Sequence, residues 1–142
     1  WTDLNYAIVY FYNVYGPKEL EGNFGTLIGK FKKSMRDQKK LNIVLPGNQR
    51  RNFTHVSDIV DGLILISEKG QGDEYGIGND KSYSIEEVAN LFGGKKKWSK
   101  KRKGNREDSV LITKKTKNLG WEPSYELENY ITNLKKNEWI DQ

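Results

Sequence analysis

The longest apolar run in the chain, Tyr6 to Asn13 (Tyr-Ala-Ile-Val-Tyr-Phe-Tyr-Asn), is dense in aromatic and β-branched residues and stops at the turn sequence Val14-Tyr15-Gly16-Pro17. It predicts a strand buried on both faces, of the kind found in the middle of a parallel sheet. Such a strand needs a partner on each side, and few later stretches can serve. The period then changes. Leu27, Ile28, Phe31 and Met35 share one face of a helix from about Gly25 to Arg36. Asn42 to Leu45 reads as a short strand closed by Pro46-Gly47. A helix from Ser57 to about Glu68, capped by Ser57 or Asp58, is expected to turn Ile59, Val60, Leu63 and Ile64 inward. Glu74 to Ile77 is a further short strand. Ser84-Ile85-Glu86-Glu87 is a capping box for a helix that buries Ile85, Val88, Ala89 and Phe92. Thr113 caps a short helix to Leu119, and Gly120-Trp121-Glu122-Pro123 turns into a last helix with Leu127, Tyr130, Ile131 and Leu134 inward.

The 142 residues, 35% of them hydrophobic and 12% aromatic, suffice for one main core. No stretch reaches the roughly 20 apolar residues of a membrane span, and the chain opens with no apolar leader, so a cytoplasmic protein without membrane contact is expected. Absent cysteine excludes thiol chemistry, disulfides and cysteine zinc sites, and the single histidine, His55, leaves little for a metal centre or a serine triad. The net charge is +5, yet Lys95, Lys96, Lys97, Lys100, Lys101, Arg102 and Lys103 alone exceed it, and the remainder is net negative. Only Trp98 interleaves that run, which is too little aromatic surface for a nucleic-acid face. The run is expected to be a solvated loop, with two or three of its charges drawing a doubly negative ligand into a cleft.

Candidate chemistry lies in three separated stretches: Phe11-Tyr12-Asn13-Val14-Tyr15-Gly16-Pro17, Arg50-Arg51-Asn52-Phe53-Thr54-His55-Val56-Ser57-Asp58, and Gly120-Trp121-Glu122-Pro123. An arginine held beside a strand end and a helix start suits a phosphate-type anion. In that order and at those spacings the three stretches resemble the C-terminal portion of the NAD-dependent epimerase/dehydratase family, the extended short-chain dehydrogenase/reductases that include UDP-glucose 4-epimerase.

The resemblance implies an α/β substrate-binding lobe over residues 1–142, with one buried sheet strand, short strands and about five helices. Residues 1–17 would then be a strand of a Rossmann sheet whose remainder, carrying most of the NAD site, would precede Trp1. It implies that Asn13 contacts the sugar-nucleotide, that Tyr15 lies close to the cofactor, that Arg51 grips the diphosphate and that Phe53 sits beside the nucleotide. His55 and Asp58 would be structural. Arg102-Lys103-Gly104-Asn105 resembles the family's Arg-Pro-Gly-Asp/Glu. Arg102 would give a second diphosphate contact, and Asn105, standing where the acid is usual, leaves the ribose contact in doubt. Asn23 lies where relatives place nucleotide contacts.

Homodimers are common in the family. Its chemistry uses a glycine-rich loop after the first strand and a Tyr-x-x-x-Lys pair. No tyrosine here has a lysine four residues on, and Gly76-Ile77-Gly78 lacks a third glycine. The implied function is therefore to orient a nucleotide-diphospho-sugar for hydride transfer to NAD, with no turnover by this chain alone. The alternative is a stand-alone nucleotide-sugar-binding or assembly module.

Overall fold

The computed structural model describes residues 4–22, 24–100 and 110–141. Strand β1 (Ala7–Phe11) ends at a corner where Asn13 takes a positive φ of 38°, a conformation asparagine tolerates better than most residues. A two-residue strand β2 (Val14–Tyr15) follows. Then come α1 (Leu27–Arg36), β3 (Leu41–Val44), β4 (Arg50–Asn52), β5 (Thr54–His55) and α2 (Val56–Lys69). The chain continues through β6 (Gly72–Ile77), β7 (Ser82–Ser84), α3 (Ile85–Phe92), β8 (Lys96–Ser99), α4 (Lys114–Asn118) and α5 (Leu127–Lys136). Among the described residues the strands pair in twos. β1 runs parallel to β6, β2 to β5 and β3 to β8, while β4 and β7 are antiparallel.

Two apolar clusters hold these elements. The larger gathers α1, β3, α3 and α5 around Ile28, Phe31, Leu41, Ile43, Val88, Phe92, Leu127 and Ile131. Its helices follow the pattern in the sequence: Ile85, Val88, Ala89 and Phe92 are all buried, and Ser84 with Glu87 closes the capping box in both directions. The smaller cluster places Ile59 and Ile66 of α2 against Tyr75 and Ile77 of β6, with Trp121 beneath. Gly62 permits that approach, because a Cβ there would stand 2.7 Å from Ile77 Cδ1 and 3.1 Å from Trp121 Nε1.

Several expectations are corrected. β1 is not buried on both faces: Tyr6, Ile8, Tyr10 and Phe11 are exposed, because β6 is its one partner among the described residues. On α2 the inward residues are Ile59, Gly62 and Ile66, whereas Val60, Leu63 and Ile64 face outward. The cap of α2 is His55, whose Nδ1 accepts from the Ser57 amide at 3.2 Å, rather than Ser57 or Asp58. Part of the basic run, Lys96–Ser99, is a strand on β3 and not a solvated loop. Lys96 pairs there with Glu86 at 3.1 Å, and Trp98 packs over Gly47. No helix among the described residues is long and apolar enough to cross a membrane.

Candidate functional site

Asn13 and Arg51, far apart in sequence, meet in one cleft of about 630 Å³ at the carboxyl end of β1. Val9, Tyr10, Phe11, Tyr12, Val110 and Ile112 form the rest of its wall. The corner after β1 turns Asn13 into this space, and pairing of Arg51 with Tyr83 across β4 and β7 sets the arginine backbone. One guanidinium nitrogen of Arg51 donates to the Arg50 carbonyl at 2.6 Å. Arg50 is turned the other way, with Nε on Ser82 Oγ at 2.9 Å and an ion pair to Glu87 at 3.2 Å. Of the two adjacent arginines, the cleft therefore receives Arg51. A guanidinium fork beside an amide, walled by aromatic and aliphatic groups, can hold an anion and a hydroxylated group together.

Other expected site residues lie elsewhere. Tyr15 is 1% exposed, its ring packed between His55 and Tyr130, and its buried hydroxyl has no hydrogen-bond partner among the described residues. Burial drives its ionisation well above the usual tyrosine range. The structure places it in the larger apolar cluster. Phe53 is likewise a core residue, 5% exposed and facing Tyr83. Asn23, Arg102 and Asn105 fall outside the described residues.

His55 and Asp58 have the structural roles expected of them. Burial lowers the His55 pKa, partly opposed by the Asp58 charge, and its ring stacks on Tyr125 at 4.3 Å. The Asp58 carboxylate accepts from the Ser124 amide and hydroxyl, both at 2.9 Å, and from the Tyr125 amide at 3.2 Å. Its backbone carbonyl accepts from Trp121 Nε1 at 2.9 Å. The Gly120–Pro123 stretch thus serves as a tie to α2 rather than as part of the cleft.

Sequence reasoning missed the supporting polar groups. Tyr12 closes one wall and its hydroxyl accepts from the Ile112 amide at 3.0 Å. Asn52, Thr54 and Asn79 form the floor behind Asn13, and three of these four polar residues stand in the stretches already singled out. Gly76 and Gly78, the nearest approach to a glycine loop, are closed off: a Cβ on Gly76 would meet the Ile112 carbonyl oxygen at 2.3 Å, and one on Gly78 would meet Tyr12 at 2.8 Å. That turn does not fit a dinucleotide pyrophosphate, which requires open backbone amides at a helix start. No cluster of metal-ligating side chains occurs among the described residues.

Parallel strand pairs with helices packed against them define an α/β fold. A family model described as the NAD dependent epimerase/dehydratase family matches residues 2–78, more than half of the sequence. The chain belongs to this family.

It is 36% identical over 84 residues to UDP-N-acetyl-alpha-D-glucosaminuronate decarboxylase of Bacillus cytotoxicus, covering 58% of this chain and 26% of that protein. It is 27% identical over 146 residues to dTDP-L-rhamnose 4-epimerase of Burkholderia thailandensis, covering 96% and 40%. Among solved structures, UDP-glucose 4-epimerase of Thermotoga maritima with UDP-glucose superposes with a TM-score of 0.85 at 26% identity, covering 94% of this chain and 47% of that one. The chain spans less than half the length of each.

The family match overturns the expectation of a C-terminal substrate-binding lobe that lacks its Rossmann core. The match covers the N-terminal region of the chain, residues 2–78, and the parallel pair β1–β6 with α2 against it lies in that span. The architecture supported is parallel α/β, matching the Rossmann portion of these enzymes.

Proposed function

We propose that this chain supplies part of the NAD-binding sheet and a sugar-nucleotide cleft to an NAD-dependent nucleotide-sugar epimerase or dehydratase. The observation that carries the reading is the convergence of Asn13 and Arg51 on one cleft at the carboxyl end of a parallel strand, where α/β folds bind their ligands. Arg51 holds the diphosphate as a charged fork, and Asn13 meets a hydroxyl. The proteins that resemble this one carry UDP- or dTDP-sugars in their names, so a pyrimidine nucleoside diphosphate sugar is the ligand class. Binding and orientation are this chain's share of catalysis, because holding the reacting carbon at attack distance lowers the barrier before any bond changes. Since no tyrosine is followed by lysine at the fourth position, we expect binding of UDP-glucose without turnover.

Calorimetric titration with UDP-glucose tests this. Arg51→Ala should weaken binding on the order of tenfold or more, the usual loss for a charge-assisted contact. Equal affinity in the parent and Arg51→Ala would refute the assignment, and formation of UDP-galactose by the purified chain would refute the expected lack of turnover.

A further inference from the structure

We propose that Asn52 is a positioning residue that sets Asn13 and Arg51 through a closed ring of hydrogen bonds, an inference that rests on reading those two as the ligand-binding pair. Asn52 follows Arg51 directly in β4, pairs with Ser82 across the antiparallel ladder and is only 6% exposed. Its Nδ2 donates to two backbone carbonyls, Asn79 at 2.9 Å and Asp80 at 3.1 Å. Its backbone carbonyl accepts from Asn13 Nδ2 at 3.1 Å. The ring then returns. The Asn79 amide donates to Thr54 Oγ1 at 3.1 Å, and the Thr54 amide donates to the Asn13 carbonyl at 3.3 Å. Thr54 is fully buried.

This ring joins the residues that follow β1 and β6 to β4 and β5, behind the Asn13 and Arg51 wall of the cleft. Its chemistry is selective. Two carbonyl oxygens converge on one position, and among side chains of this size an amide can donate to both without carrying a charge. The same two acceptors fix which end of the Asn52 amide faces them, and the Asn52 carbonyl fixes the end of Asn13 that faces it. Removing the Asn52 side chain leaves two carbonyls without that donor and frees the β4–β6 junction. The loss reaches Arg51 through the β4 backbone, and reaches Asn13 through the Asn52 backbone carbonyl that its side chain donates to, which shifts with the freed junction. Neither Asn52 nor Thr54 lines the cleft, so each acts through its neighbours.

The test is a pair of double-mutant cycles read by calorimetric titration with UDP, with far-UV circular dichroism confirming each fold. Asn52→Ala should weaken UDP binding about tenfold in the parent and less than about twofold in the Arg51→Ala background, because the residue it positions is already gone. Thr54→Val, which opens the ring at a different bond with little change of volume, should show the same coupling to Asn13→Ala and serves if Asn52→Ala does not fold. A loss of equal size in both backgrounds, or UDP affinity within about twofold of the parent for both ring variants, overturns the proposal. Failure of the underlying reading looks different: Arg51→Ala and Asn13→Ala would then leave UDP affinity unchanged.

Discussion

The two apolar clusters are made from similar parallel units but finish differently. In the larger, α1, α3 and α5 enclose Leu41 and Ile43 of β3, and Phe31 meets Phe92 edge-on at 5.6 Å with Trp139 stacked beyond. In the smaller, α2 covers one side of β1 and β6, while Tyr6, Ile8, Tyr10, Val60, Leu63 and Ile64 stay exposed. The comparison teaches that apolar composition makes a strand suitable for burial but does not bury it; a second layer must be present. The polar cleft lies on the open cluster, where β1 ends.

The sharpest way to break this contrast is to cut into the enclosed cluster. Phe92 is fully buried, so Phe92→Ala should cost about 3–5 kcal/mol in urea unfolding. A cost under about 1 kcal/mol would mean that the cluster is loosely packed.

An intermediate effect is expected at the margin of the same cluster, where the largely buried Glu19 accepts from the Thr26 hydroxyl with one carboxylate oxygen. Burial is the main cause that raises its pKa from 4.5 to about 7, against the opposing Thr26 hydrogen bond and Lys32 charge. The protonated form is therefore the one the fold favours. Its stability contribution is complete below the ordinary carboxyl value and is lost as pH rises towards about 7. Glu19→Gln should remove this loss, gaining up to about 3 kcal/mol on the parent between acidic and mildly alkaline pH. A pH-independent difference between the two proteins in thermal unfolding would exclude the assignment.

The smallest effect is expected on the open side. Ile64 is 54% exposed on α2, and Ile64→Lys should change stability by no more than about 0.5 kcal/mol. A loss of several kcal/mol would show that something covers this face in solution.

Local patterning made much of the enclosed cluster legible in the sequence. The Ser84–Glu87 box and the spacing of Ile85, Val88, Ala89 and Phe92 specify α3 through contacts within a few residues. What was not legible depended on partners. The reading of α2 turned Ile59, Val60, Leu63 and Ile64 inward, whereas tertiary packing kept Ile59 but selected the stripe with Gly62 and Ile66, because that face lets Ile77 and Trp121 approach. The strand Lys96–Ser99 was hidden because it is defined by pairing with β3 and by Trp98 packing over Gly47, neither visible in a run of lysines. At the cleft, Arg51 and Asn13 could be picked out by residue type and neighbourhood, but Tyr15 and Phe53 could not be told from core aromatics. The fold buries both rings in the larger apolar cluster.

The central claim is that Asn13 and Arg51 form the nucleotide-sugar site, and an NMR titration of the protein with UDP-glucose addresses it most directly. The account predicts saturable shifts at the Asn13 side-chain amide and Arg51 Nε, with Lys95–Lys97 moving little. Shifts confined to the basic stretch around Lys95–Lys97, with Asn13 and Arg51 unmoved, would contradict it.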